Sequence, residues 1–326
     1  MHIVIQVVLL TIGFVCLVRG ADVFVSGSSS FARFFNVSGL FVGLTIVALG
    51  TSAPEMAVST VAVIQGSNEI ALSNVVGSNV FNLLGVLGVC AIINPLPVDG
   101  TVLRRDFPFA IITTILLLLV SCGSVLIGGH FIENSIDREV AVVTRPVGFV
   151  LVVMFIGYMV FLILKARKEH SDDDKNNKEP IWKCIVFIIV GLVMIIAGGQ
   201  TVVYSAKEIA RAAGMTETLI GLTIVAIGTS LPELVTSAVA ARTGETVMAI
   251  GNVIGSNIFN LLFILGISAL IHPIAINMAS VYDLIILVIV SGISCLFAFT
   301  SRRIARGEGV LMLMIYITDV VFSIVR

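Results

Sequence analysis

Charged residues are scarce in this chain of 326 residues. Asp, Glu, Lys and Arg together make up 12% of it, against 58% for hydrophobic residues, and the mean hydropathy is +1.12. An ordinary soluble domain carries about 25% charged residues. The shortage therefore excludes a soluble globular protein and indicates a polytopic membrane protein of the all-α class.

Basic clusters and cysteine patterns are also missing. The formal net charge is −1, and no group of Lys and Arg is interleaved with aromatic residues, which argues against a nucleic-acid partner. The five cysteines all fall inside apolar runs and form neither a disulfide framework nor a metal-binding spacing. We therefore expect no cofactor and no obligatory protein partner.

Signatures of catalysis are absent as well. We find no paired nucleophile and base, no cofactor-binding loop and no soluble domain. An intramembrane hydrolase would need a Ser/His pair, an HExxH sequence or paired aspartates, and none is present. The sequence predicts a protein that is not an enzyme.

Long apolar runs are what the chain does have. A membrane-spanning helix needs about 20 apolar residues, and ten such runs are predicted, at 3–19, 38–64, 70–93, 107–128, 146–164, 182–204, 217–241, 247–271, 281–300 and 308–325. The first and sixth are expected to continue as long helices towards Phe34 and Ala212. The hydrophilic segment 165–181 is too polar to pack and is predicted to be a linker. It separates a first five-helix half, 1–164, from a second, 182–326.

Two sequence motifs occur once in each half. The first is GLTIVALGTSAPEMAVS at 43–59, which returns as GLTIVAIGTSLPELVTS at 221–237 with 12 of 17 positions identical. The second is NVVGSNVFNLL at 74–84, which returns as NVIGSNIFNLL at 252–262. The second copy of each motif begins 178 residues after the first, so the chain contains an internal duplication.

The number of spans in each half predicts how the halves are related. Two similar halves with five spans each must insert with opposite orientation, which is the inverted repeat of secondary transporters. Loops on the linker side hold 14 Lys and Arg residues, against 5 on the other side. The excess of positive charge predicts a cytoplasmic linker in the cell membrane, with both termini outside.

The centre of the first motif combines a proline, a carboxylate and two hydroxyls inside an apolar run. Pro54 should break the helix near Gly50, Thr51 and Ser52. An ionised Glu55 at this depth costs roughly 3 kcal/mol on insertion scales, so such a residue indicates function. Freed carbonyls, hydroxyls and carboxylates form an all-oxygen cluster, which suits hard cations such as Ca²⁺ and Na⁺.

An inverted repeat should bring equivalent residues of the two motifs together. Glu55 and Asn82 are 27 residues apart, as are Glu233 and Asn260. Folding the halves about an axis in the membrane plane places the two glutamates side by side, with the two asparagines beside them. Two ionised carboxylates carry a charge of about −2, which one Ca²⁺ or two Na⁺ would neutralise. Because an empty site would have to move that charge unneutralised past an apolar gate, the arrangement predicts exchange.

These motifs resemble the two α-repeats of the cation/Ca²⁺ exchanger superfamily, and most closely its prokaryotic Na⁺/Ca²⁺ exchanger branch. The resemblance covers essentially the whole chain. It implies Ca²⁺ ligands at Glu55, Glu233, Thr51 and Thr229, and Na⁺ sites that draw on Ala48, Ala226, Ser52, Ser230, Ser78 and Ser256, with Asn82 and Asn260 at the centre. Family members often carry an aspartate where this chain has Asn260. This departure leaves the number of Na⁺ per cycle and a co-transport of K⁺ open.

The sequence therefore predicts an antiporter that exchanges Ca²⁺ for Na⁺ by alternating access, with these two ions and the lipid bilayer as its partners. A carboxylate in a site of low dielectric takes up a proton more readily than in water, so coupling to H⁺ is an open alternative. A cation channel is the alternative from a different class. Asn79 and Asn257 fit packing and ion ligation equally well at this stage.

Overall fold

Helices make up nearly all of the described structure. The computed structural model describes residues 2–128, 139–168, 179–215 and 226–325. The first half contains α1 (His2–Phe35), α2 (Gly39–Val42, Gly43–Val47 and Ala48–Thr51), α3 (Ala53–Ile64), α4 (Asn68–Val80, Phe81–Val86 and Leu87–Ile93), α5 (Val102–Asp106 and Phe107–Gly128) and α6 (Arg145–Lys168). The second contains α7 (Ile181–Ala212), α8 (Ala226–Thr229), α9 (Leu231–Arg242), α10 (Thr246–Ile258, Phe259–Ile264 and Leu265–Ile271), α11 (Met278–Ser301) and α12 (Arg306–Val325).

Many of these helices are long and apolar enough to cross a membrane. Seven in the described ranges meet this condition, namely α1, α4, α5, α6, α7, α10 and α11, and the bent pair of α2 and α3 makes an eighth if it is one span. The chain is thus a multi-pass membrane protein with an all-helical fold. The count of ten spans stays a prediction, because 216–225, within the predicted seventh span, and most of the predicted linker, 169–178, lie outside the described residues.

Helices α1 and α7 are the two longest in the described ranges. The predicted continuation towards Phe34 and Ala212 is confirmed, since the helices end at Phe35 and Ala212. They pack against each other through glycines. A Cβ at Gly20 would lie 2.7 Å from Met194 Cβ, and one at Gly191 would lie 2.6 Å from the backbone nitrogen of Phe24. Small residues at such crossings let helix backbones touch, which favours association within a bilayer.

The predicted helix break is present. Helix α2 ends at Thr51 and α3 begins at Ala53, and the two axes differ by 46°. Pro54 lies in the first turn of α3, where its missing N–H is not needed by the helix. Pro232 occupies the same place in α9, after Ser230. Each proline therefore starts a new helix in the interior of the bundle.

Among the residues that the structure describes, four helical stretches are wound as π-helix, a feature that the sequence analysis did not foresee. They are Gly43–Val47 in α2, Phe81–Val86 in α4, Val102–Asp106 in α5 and Phe259–Ile264 in α10. A π-helical turn contains an extra residue and is often found at functional sites. The stretches in α4 and α10 contain Asn82 and Asn260, so the winding sets the direction of these side chains.

Helix α2 crosses α10 at very short range. A Cβ added to Gly43 would lie 2.5 Å from the carbonyl oxygen of Met248, and one added to Gly251 would lie 2.8 Å from that of Leu40. Because both neighbours are backbone atoms, only glycine fits at either position. The crossing brings the broken helix of the first half against the second motif of the other half.

Short strands tie the loops together at each end of the bundle. At one end β1 (Leu96–Pro97) pairs with β4 (Arg303–Ile304), and at the other β2 (Glu139–Val143) pairs with β3 (Ile274–Asn277), both antiparallel. Helix α4 runs from beside β3, where Glu69 accepts a hydrogen bond from Asn277, to β1. The pairing agrees with the predicted grouping of loops on two sides. Which side is cytoplasmic stays a prediction.

Candidate ion-binding site

Two completely buried glutamates lie at the centre of the site. Glu55 is in the first turn of α3 and Glu233 is in the first turn of α9, and both are 0% exposed. The N-terminal end of a helix carries a partial positive charge that stabilises a nearby carboxylate. The two proline-induced helix starts therefore provide two favourable positions for negative charge inside the protein.

The serine at each helix break binds the glutamate in the other copy of the first motif. Ser52 Oγ donates to Glu233 Oε1 at 2.7 Å, and Ser230 Oγ donates to Glu55 Oε1 at 2.9 Å. Ser78 Oγ lies 3.0 Å from Ser230 Oγ and extends this chain of hydroxyls. The structure thus brings the two copies of the first motif together, as the sequence predicts.

Several oxygens at this place have no hydrogen-bond partner. In the described part of the chain, Glu55 Oε2 and Glu233 Oε2 are buried and accept nothing, and the same holds for Asn82 Oδ1 and Asn260 Oδ1. Leaving a buried polar atom without a partner costs about 1–3 kcal/mol, and more for a charged one. Four such oxygens on facing helices are suited to accept a cation.

Asn82 and Asn260 are held by hydrogen bonds through their amide nitrogens. Asn82 Nδ2 donates to Asn257 Oδ1, and Asn260 Nδ2 donates to Asn79 Oδ1, both at 3.1 Å. The π-helical stretch with Asn82 packs against α9, and the one with Asn260 packs against α3. Each asparagine is therefore placed beside the helix that begins near the glutamate of the other half.

The remaining predicted residues lie around this centre with differing contacts. Thr51 Oγ1 lies 3.1 Å from both Val47 O and Asn252 Oδ1. The carbonyl oxygen of Ala48 accepts the backbone N–H of Ser52 at 3.1 Å and lies 3.5 Å from Thr51 Oγ1. Ala226 and Thr229 form the two ends of the short helix α8, and Thr229 is buried. Ser256 Oγ is buried and has no hydrogen-bond partner among the described residues.

Two asparagines that the sequence analysis left without a role support the site. Asn74 Nδ2 donates to the backbone oxygen of Glu55 at 3.3 Å and to Ser59 Oγ at 2.9 Å. Asn252 Nδ2 donates to Ser237 Oγ at 2.9 Å. Both lie at the start of the repeated second motif. That repetition is a signal that could have found them.

The chemistry of this cluster is that of a hard-cation site. No group of three or more His, Cys, Asp or Glu that could hold a metal occurs within residues 2–128, 139–168, 179–215 and 226–325. The cluster instead combines two carboxylates with neutral hydroxyl, amide and carbonyl oxygens. Such ligands suit Ca²⁺ and comparable hard cations rather than the softer transition metals.

Comparison with known proteins gives a consistent result. The sequence matches the family described as sodium/calcium exchanger protein over residues 5–164 and 183–325. It is 31% identical over 344 residues to sodium/calcium exchanger MaX1 of Methanosarcina acetivorans, with 98% of each chain covered. It is also 34% identical over 316 residues to inner membrane protein YrbG of Escherichia coli, with 93% of this chain and 92% of that protein covered.

The fold is also similar to that of a solved protein. A structure of the sodium-calcium exchanger NCX_Mj, soaked with 2.5 mM Na⁺ and 0.1 mM Ca²⁺, matches with a TM-score of 0.81 and 32% sequence identity. The match covers 97% of this chain and 98% of that one. Sequence and fold thus point to the same group of proteins along nearly the whole chain.

Proposed function

The chain belongs to the sodium/calcium exchanger protein family, and we propose that it is a secondary antiporter. It exchanges Ca²⁺ for Na⁺ across the cell membrane by alternating access. The observation that carries the proposal is the pair of buried carboxylates, Glu55 and Glu233. Each has one oxygen bound to a serine of the other half and one oxygen without a hydrogen-bond partner in the described structure.

Ca²⁺ binds between the two glutamates in this proposal, with oxygens of Thr51 and Thr229 completing the shell. The Na⁺ sites use the carbonyls of Ala48 and Ala226 and the hydroxyls of Ser52, Ser230, Ser78 and Ser256, with Asn82 and Asn260 at the centre. The burial of the four unpartnered oxygens supports this assignment, because a cation would supply the missing partner of each.

The charge of the site explains why transport is an exchange. Two ionised carboxylates without a cation carry a charge of about −2 in the membrane interior, where an isolated charge is costly. One Ca²⁺ or two Na⁺ remove that cost. The carrier therefore crosses between its two states when loaded and resists crossing when empty.

Ten spans arranged as two inverted repeats are part of the proposal. Hydrogen bonds in the interior support it, because they come in pairs related by the same displacement of 178 residues. Ser52 and Ser230 each bind the glutamate of the other half, Asn79 and Asn257 bind each other, and Asn74 and Asn252 each bind a serine of their own half. Such reciprocity is expected from a pseudo-two-fold axis through the site. A cytoplasmic linker is also part of the proposal, and the excess of Lys and Arg on that side supports it.

The test is ⁴⁵Ca²⁺ uptake into proteoliposomes preloaded with Na⁺, K⁺ or choline at fixed pH and clamped voltage. We expect uptake only with internal Na⁺. Glu55→Gln and Glu233→Gln should each reduce it by on the order of 100-fold or more, because removing one of two buried charges that hold a dication costs several kcal/mol. Glu139→Gln, at an exposed glutamate of β2, is the matched control and should transport normally.

Other results would replace the proposal with one of its alternatives. Uptake from choline that follows an imposed pH gradient would mean coupling to H⁺, and a strict need for K⁺ with Na⁺ would mean co-transport. Uptake without any counter-ion would indicate a channel. Normal exchange in either glutamate variant would refute the assignment of the site.

A further inference from the structure

Asn79 and Asn257 form a crossed pair of amides where α4 meets α10. Asn79 Nδ2 donates to the backbone oxygen of Asn257 at 3.1 Å, and Asn257 Nδ2 donates to the backbone oxygen of Asn79 at 3.3 Å. Both residues are buried, with exposures of 0% and 3%. Each of these hydrogen bonds connects one half of the chain to the other.

The orientation of these amides follows from their partners. A backbone carbonyl can only accept a hydrogen bond, so the atom facing it must be the amide nitrogen. The amide oxygen of Asn79 and that of Asn257 therefore point the other way. There they can only accept, and their partners are Asn260 Nδ2 and Asn82 Nδ2.

The same hydrogen bonds fix the orientation of the Asn82 and Asn260 amides. Because the nitrogen of each side chain is fixed by an acceptor, its oxygen must lie on the opposite side of the amide. Those two oxygens, Asn82 Oδ1 and Asn260 Oδ1, are the buried ones without a hydrogen-bond partner in the described structure. A rotated amide would present N–H groups to a cation, which repel it.

We propose that Asn79 and Asn257 are positioning residues of the ion site, which turn the amide oxygens of Asn82 and Asn260 towards the transported ion. This inference rests on the proposed function. In this role Asn79 and Asn257 do more than pack the helices, but they do not bind the ion themselves. Each of them orients the ion ligand of the other half, so the two halves complete the site together.

Replacing Asn257 with leucine removes the acceptor for Asn82 Nδ2 while keeping a side chain of similar size. The amide of Asn82 is then free to rotate. We expect Ca²⁺ affinity to fall about 10–100-fold, the usual effect of losing a group that orients a metal ligand. The measurement is isothermal titration of Ca²⁺ into the full chain purified in detergent. Thr114→Val is the control, because this buried hydroxyl donates to Ala110 O on its own helix, and its affinity should stay unchanged.

Repeating the substitution in Asn82→Asp protein distinguishes a positioning role of Asn257 from a structural one. An aspartate at position 82 has two equivalent oxygens and no N–H, so it offers an oxygen to the ion whichever way its carboxylate is turned. In Asn82→Asp protein, Asn257→Leu should not weaken Ca²⁺ binding further. It is expected to improve binding, because it removes the amide oxygen of Asn257 that would face the new carboxylate. A structural defect would instead lower affinity equally in both backgrounds, and thermal unfolding of each variant shows whether it is folded.

The outcomes distinguish this inference from the proposed function. If the unsubstituted protein does not bind Ca²⁺, both are wrong. If it binds Ca²⁺ and Asn257→Leu binds equally well, the positioning role alone is wrong. The positioning role is also wrong if Asn257→Leu weakens binding to the same extent with aspartate or asparagine at position 82.

Discussion

Among the described residues, the buried acidic side chains differ in how their oxygens are bonded. Asp106 is fully buried, and Arg105 binds both of its oxygens, at 2.6 and 2.9 Å, while Tyr158 donates to it at 2.9 Å. Glu55 and Glu233 instead accept a serine hydroxyl on one oxygen and keep the other open. Asp106 is thus neutralised within the protein, whereas each glutamate keeps an oxygen that the proposed cation would bind.

The role of Asp106 leads to a prediction about stability. Tyr158→Phe removes one donor from a buried carboxylate and should lower the free energy of unfolding by about 2 kcal/mol, the range for hydrogen bonds to charged groups. The check is thermal unfolding in detergent, with Tyr204→Phe, at an exposed ring, as the control. Ca²⁺ affinity in folded protein should not change. Equal unfolding temperatures for the two variants would show that the bond from Tyr158 contributes nothing.

At the scale of elements, helix breaks and close crossings form the site. Each proline starts a helix whose first turn carries a glutamate, and π-helical winding in α4 and α10 sets the direction of an asparagine. The crossing of α2 and α10 then brings the helix that ends at Thr51 within reach of Asn252. Glycines permit this crossing, because the backbones are too close for any side chain.

The crossing of α2 and α10 is tested by adding a single methyl group. Gly43→Ala places a carbon about 2.5 Å from the carbonyl oxygen of Met248, and a backbone atom cannot move aside as a flexible side chain can. Overpacking of this kind costs about 1–3 kcal/mol. We expect a lower unfolding temperature and lower Na⁺-dependent Ca²⁺ uptake. Gly157→Ala on α6, where the described atoms leave open space, is the control. A Gly43→Ala protein as stable and active as Gly157→Ala would show that the helices separate easily.

At the scale of the whole molecule, the charge of the site determines how transport responds to voltage. In the proposed site Glu55 and Glu233 are the carboxylates, while Asn82 and Asn260 offer neutral oxygens. Either one Ca²⁺ or two Na⁺ makes the loaded site neutral. If the proposed site carries both carboxylates ionised, we therefore predict an exchange of two Na⁺ for one Ca²⁺, which moves no net charge across the membrane.

The voltage dependence of Ca²⁺ accumulation tests the predicted ratio of Na⁺ to Ca²⁺ directly. With a fixed Na⁺ gradient and a K⁺ potential set by valinomycin, we expect the Ca²⁺ accumulated at equilibrium to be independent of voltage. An exchange of three Na⁺ for one Ca²⁺ would move one charge, worth about 2.3 kcal/mol per 100 mV, and would change the accumulation ratio about 50-fold. A change of that size would disprove the electroneutral prediction. Asn260→Asp adds a carboxylate and should make transport sensitive to voltage.

Local chemistry explains which features could be predicted from the sequence. Apolar runs predict the long helices α1 and α7, and Pro54 predicts the break beside Ser52. The repetition predicts that the two copies of the first motif, with Glu55 and Glu233, come together. Hydropathy, proline geometry and repetition are properties of short segments, so they can be read without a structure.

Contacts between distant residues became visible only in the folded chain. The π-helical turns have no counterpart in the apolar pattern. The crossed amides join residues 178 positions apart, and the orientation of Asn82 depends on Asn257, 175 positions away. An amide side chain has the same composition whichever way it is turned, so its direction depends on which donors and acceptors the fold places around it. For this reason the sequence identifies the candidate ion ligands, while only the fold shows what points their oxygens inward.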